Sequence, residues 1–173
     1  MPRRYHPLLV ALHWLLAVFL IGAMAAGALV LAPLANSDPA KMTSFAMHMG
    51  LGGTILILTV LRLVIRLTTA HPPPVTTGIA LADRLAPLTH WALYALALIM
   101  AVSGAVFSAR SGLPDAVFGT GPMPESFTHP ARAVHGVASK LLLALIVLHV
   151  AAALWHQYIR RDAIMARMWF GPR

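Results

Sequence analysis

Hydrophobic positions in this chain gather into four long runs, at about 8–34, 45–67, 85–107 and 134–159. Each run reaches the roughly 20 residues that a helix needs to cross a hydrocarbon core about 30 Å thick. The stretches between them, NSDPAK, TTAHPPPVTTG and RSGLPDAVFGTGPMPESFTHP, are rich in proline, glycine and turn-forming polar residues,. The pattern predicts an all-α membrane protein, a four-helix transmembrane bundle forming a single domain over residues 1–173. No repeat, low-complexity tract or linker breaks it. The opening stretch has the outline of a signal peptide, with two arginines, an apolar run and the small residues AMAAGA. However, the run is too long for one, and His13 and Trp14 interrupt its start,.

Composition agrees with this pattern. Hydrophobic residues make up 59% of the chain and charged residues 10%, whereas a soluble domain carries about 25% charged residues. There is no cysteine, which excludes disulfides, thiolate metal sites, iron–sulfur clusters and covalently attached haem. The net charge is +8, and its placement is more informative than its sum. With both termini on one side, that side holds Arg3, Arg4, Arg62, Arg66, Arg84, Arg160, Arg161, Arg167 and Arg173. The other side holds only Lys41, Arg110, Arg132 and Lys140. Basic residues flank the cytoplasmic ends of membrane helices, so both termini are expected in the cytoplasm and the long third loop outside. The basic excess thus reports orientation, and no nucleic-acid partner is expected.

The stretch VHGVASKLLLALIVLHVAAALWH, residues 134–156, is almost wholly apolar yet carries His135, His149 and His156. His6 and His71 fall at the inner membrane edge and His129 in the outer loop; the other six histidines lie within the apolar runs. Ionisable groups at that depth are costly and mark function. His135 and His149 are 14 residues apart, about 21 Å along a helix with a net rotation of only about 40°. They therefore face the same side at different depths, and His156 extends the same face inward. Two layers result. The outer layer has His48 with His135, and the inner layer has His149 with either His13 or His90. Facing helices of a bundle supply paired ligands to a cofactor in this way, and a bis-histidine pair suits a b-type haem. Zinc wants a third or fourth protein ligand. Asp38, Asp83, Asp115, Glu125 and Asp162, the five acids, all fall at helix ends or in loops, which disfavours zinc and a buried acid chain for proton pumping. Gly50, Gly52 and Gly53 beside His48, and Gly136 beside His135, would leave room for a flat macrocycle, although small residues also serve ordinary helix packing.

The motifs ALHWLLAVFLIG, MHMGLGGTILILTVLRLVIRL and VHGVASKLLLALIVLHVAAALWHQY, with a proline-rich inner loop and a basic C-terminal tail, resemble the bacterial cytochrome b561 family, and within it the superoxide oxidase type. The resemblance covers nearly the whole chain. It implies a multi-pass protein of the bacterial inner membrane with two non-covalent haem b groups stacked along the membrane normal. His13 and His149 would be the axial iron ligands of the inner haem, and His48 and His135 those of the outer haem. The resemblance selects His13 over His90.

It also implies a reaction, in which superoxide is oxidised to dioxygen at the outer face and electrons pass through the haems to ubiquinone. Arg110, Arg132 and Lys140 are placed to attract the anion, though the local excess is modest. The step at superoxide is a bare electron transfer and needs no nucleophile or general base. His156, flanked by Trp155 and Tyr158, is the expected quinone contact, and His71 and Arg84 are weaker ones; the inner loop has no lysine. Membrane lipid, ubiquinone and superoxide are the expected partners, and no protein partner is required. The alternative is a cytochrome b that wires a partner redox protein to the quinone pool. That role needs an outer docking surface, and the outer loop is short and partly apolar. A non-redox scaffold would leave six intramembrane histidines unexplained.

Overall fold

The computed structural model describes residues 3–124 and 127–171. Glu125 and Arg173, both counted above, lie outside them. The described residues hold no strand. The helices are α1 (Pro7–Ala26), α2 (Pro39–Thr68), α3 (Ala80–Arg110), α4 (Leu113–Phe118) and α5 (Pro130–Trp155). Two of them continue through a π-helical turn, Gly27–Leu31 after α1 and His156–Arg160 after α5, and a short 3₁₀ helix, Ile164–Met168, closes the described chain. The four long helices are each apolar enough to cross a membrane. Val18, Ile57, Leu141 and Leu148 are among the many large apolar side chains exposed on them, as lipid-facing residues must be.

Helix starts follow one local rule. α1, α2 and α5 each begin on a proline, whose fixed φ and missing N–H suit the first helical position. The residue before each proline caps the helix with its side chain. His6 Nδ1 accepts from the Leu8 N–H at 3.3 Å, Asp38 from Ala40 at 2.8 Å, and His129 Nδ1 from Ala131 at 3.1 Å. So α2 begins at 39 rather than 45 and α5 at 130 rather than 134; α3, which has no side-chain cap, also begins early, at 80 rather than 85. In α3, Asp83 turns back onto the Thr77 N–H and hydroxyl, each at 2.7 Å, and the helix runs on through Pro87.

α1 packs on α2, α2 on α3 and α3 most closely on α5. Leu16, Ala23 and Ile55 form one buried cluster, between α1 and α2. Ala97, Met100, Ala138 and Leu142 form another, between α3 and α5, and Leu20 leans on both. The chain ends meet at one end of the bundle, here the terminal end. There the Tyr5 N–H donates to Arg167 O at 3.2 Å, Trp14 Nε1 to Met168 O at 2.9 Å and Arg4 to Phe170 O at 2.9 Å. At the opposite, loop end, Lys41 is buried and donates to the carbonyls of Leu31 and Leu34 at 2.8 and 2.7 Å. Its ammonium caps the end of the first span and does not face solvent.

Candidate functional site

The histidines gather at two levels. At the loop end, His48 of α2 and His135 of α5 face each other with ring centres 6.1 Å apart. At the terminal end, His13 of α1 faces His149 of α5 at 6.3 Å. His90 of α3 also stands beside His149, at 5.5 Å. A metal about 2 Å from the nitrogen of each of two opposed imidazoles, with roughly 1 Å more to each ring centre, sets the centres about 6 Å apart. The His48–His135 and His13–His149 pairs match that spacing, and the His90–His149 pair is shorter. Both matching pairs also reach between helices whose backbones are not closely packed, since α5 lies chiefly against α3. A flat macrocycle needs such a gap. Among the described residues no group of three or more His, Asp or Glu side chains is arranged to hold a bare metal ion.

Contacts behind the rings favour the same use. His135 Nδ1 lies 2.7 Å from Met100 O, so Nδ1 carries the hydrogen and Nε2 keeps its lone pair for a metal. Gly104 permits this approach, because a Cβ there would sit 2.8 Å from His135 Nδ1. Gly27, at the π-helical turn, does the same for His48, where a Cβ would fall 3.2 Å from Cε1. These two glycines went unnoticed in the sequence. At Gly50, Gly52, Gly53 and Gly136 a Cβ would meet nothing within 4 Å, so open space adjoins all four.

The remaining residues sort by end. Arg110, Arg132 and Lys140 are exposed near the loop end, and Arg132 also donates to Phe127 O at 3.2 Å. His71, in the α2–α3 loop, stacks edge-on against Tyr5 at 5.8 Å. Its burial and the nearby Arg66 guanidinium push the imidazole below its ordinary pKa. Arg84 is exposed. His156 Nδ1 meets Asp162 Oδ2 at 2.5 Å, and Arg160 Nε lies 3.4 Å from the same oxygen. Arg161 and Ala163, on either side of Asp162, both adopt left-handed backbone at φ 55° and 56°. This conformation is costly outside glycine and it folds the carboxylate back onto His156. Partial burial raises the Asp162 pKa, but the His156 and Ile164 hydrogen bonds outweigh that and hold the carboxyl below its usual range. No sequence spacing announced this pair.

The sequence profile of prokaryotic cytochrome b561 matches residues 4–171. The chain belongs to the prokaryotic cytochrome b561 family. Among its relatives is "Cytochrome b561 homolog 2" of Escherichia coli (strain K12), 28% identical over 96% of this chain and 92% of the relative. "Probable superoxide oxidase CybB" of Yersinia pestis is 28% identical over 97% of each chain. "Cytochrome b562" of Cereibacter sphaeroides is 27% identical over 77% of this chain and 72% of the relative. Cytochromes b561 bind haem b and transfer electrons, and the paired histidines of this chain are suited to that cofactor.

Proposed function

We propose that this cytochrome b561 is a superoxide:ubiquinone oxidoreductase of the bacterial inner membrane, with both termini cytoplasmic and one haem b at each histidine pair. His48 and His135 hold the haem near the outer, loop end, and His13 and His149 the one near the inner, terminal end. Bound haem would supply reversible one-electron chemistry, which the side chains of this cysteine-free chain do not provide. The reaction balances simply. Two superoxide anions each give up one electron and leave as dioxygen, and one ubiquinone takes two electrons and two protons to become ubiquinol. The observation carrying this reading is the pair of opposed histidines at each end of one bundle, at 6.1 and 6.3 Å, set for an electron path across the bilayer. The relative named as a probable superoxide oxidase supports the choice of donor.

The protein's own groups then have distinct tasks. Arg110, Arg132 and Lys140 raise the local concentration of an anion that crosses bilayers poorly. His156 offers Nε2 to a quinone oxygen while Asp162 holds Nδ1, and His71 lines the approach from the inner loop. The test is to generate superoxide beside the purified protein and watch the haem absorbance. The expected result is rapid reduction, reversed by added ubiquinone. If only quinol reduces the haems, the protein is instead a conduit between the quinone pool and a partner.

A further inference from the structure

Arg62 is a partly buried arginine within the helical region. It lies six residues before the end of α2, about 9 Å from that end at 1.5 Å per residue. Its guanidinium packs over the Tyr94 ring at 5.2 Å and donates Nη1 to the Tyr94 hydroxyl. Nη2 lies 3.4 Å from His13 Nδ1, and Nε is buried without a partner. Arg66, one turn on, stacks at 5.6 Å on Trp91 and 5.9 Å on Tyr94. Among the described residues the only ion pairs are those of Asp162 with His156 and Arg160. No described carboxylate therefore neutralises Arg62.

Arginine does not deprotonate, and an uncompensated charge at membrane depth costs several kcal/mol. Snorkelling to the interface suits Arg66, but the Arg62 guanidinium is engaged by Tyr94 and His13 within the bundle. Its Nε–Nη2 edge is the one that grips a carboxylate side-on, and that edge carries only the 3.4 Å contact. The contact is itself incompatible with ligation. A nitrogen that accepts from Arg62 leaves the hydrogen on Nε2, whereas a metal on Nε2 leaves it on Nδ1. Once His13 binds iron, Arg62 needs another acceptor.

We infer that Arg62, flanked by Arg66 and Tyr94, is a carboxylate site that anchors a propionate of the haem held by His13 and His149. This inference rests on the pairing proposed above. A buried guanidinium–carboxylate contact would contribute about tenfold or more to affinity.

The test uses the full chain bearing His48→Ala, which leaves one paired site, purified from haem-depleted cells. Haem b and its dimethyl ester, which has no carboxylate, are titrated in separately, and binding is read from the haem absorbance. The expected result is ester binding at least about tenfold weaker than haem b. Arg62→Gln should erase that preference, and Arg62→Lys should restore part of it. Equal affinity for acid and ester, as an arginine serving a lipid phosphate would give, overturns the inference, as does an undiminished preference in Arg62→Gln. If Arg62→Gln does not fold, the acid-to-ester ratio in the Arg62-containing protein decides alone. Failure of either porphyrin to bind this chain, when the unsubstituted protein also lacks haem, would instead sink the bis-histidine reading.

Discussion

His135 reaches the carbonyl oxygen of Met100 at 2.7 Å across the surface of Gly104. Gly104 lies four residues after Met100, so in a helix any side chain there would lean back over that carbonyl. The glycine thus exposes the oxygen, and the oxygen fixes the imidazole's tautomer and orientation. Gly104→Ala would place a carbon 2.8 Å from His135 Nδ1 and force the ring to turn. The expected outcome is loss or spectral change of the loop-end haem alone, with about 1–3 kcal/mol of overpacking strain. A pyridine haemochrome count and low-temperature spectra would show it; two haems with unaltered bands would contradict the argument.

The terminal-end site offers His149 two neighbours, and ring spacing separates them. His13→Ala should remove one haem and His90→Ala none, since His90 stands at 5.5 Å and His13 at 6.3 Å. Haem content per chain after purification decides this. A haem lost on replacing His90 and kept on replacing His13 reverses the pairing.

Of the four basic residues expected outside, Lys41 is buried, while Arg110, Arg132 and Lys140 are exposed to steer an anion. Neutralising Arg110 and Arg132 together should slow superoxide-driven haem reduction several-fold and flatten its dependence on ionic strength. Lys41→Met should leave that rate unchanged, because Lys41 is bonded to Leu31 and Leu34. It should lower thermal stability by about 2–3 kcal/mol instead, as expected for carbonyls left unpaired. Stopped-flow rates at two salt concentrations and a melting curve separate these effects.

Asp162 makes a pH-dependent contribution whose sign is fixed by its lowered pKa. The folded state favours the carboxylate, so stabilisation is complete above the carboxyl's ordinary value, 3.8, and is lost as pH falls through the folded value. Asp162→Asn should therefore destabilise the protein at pH 7 and make its stability less sensitive to acid below about pH 4. Ala163→Gly should raise stability by about 0.5–1 kcal/mol by relieving the left-handed residue. Melting temperatures across pH would show both, and an acid profile unchanged by Asp162→Asn would rule out this role.

The spans were legible because lipid demands about 20 apolar residues in a row, and the levels of His135 and His149 followed from helical pitch alone. Helix starts were not legible, since α2, α3 and α5 open before their long apolar runs, and the starts of α2 and α5 are held by the caps of Asp38 and His129 and not by hydrophobicity. Partners across the bundle were hidden for a different reason. Whether His149 faces His13 or His90, and whether Arg62 meets Tyr94, depends on how helices rotate against one another, and one helix's periodicity does not report that. The Asp162–His156 pair required a left-handed turn at Arg161 and Ala163, two residue types that give no warning of it.

The greasy interior of this bundle is divided, with one patch between α1 and α2, another between α3 and α5, and Leu20 touching both. The imidazole pairs His13–His149 and His48–His135 reach from α1 and α2 across to α5. A group seated between these pairs would tie the two patches together, so the chain carrying it should melt at a higher temperature than the chain without it.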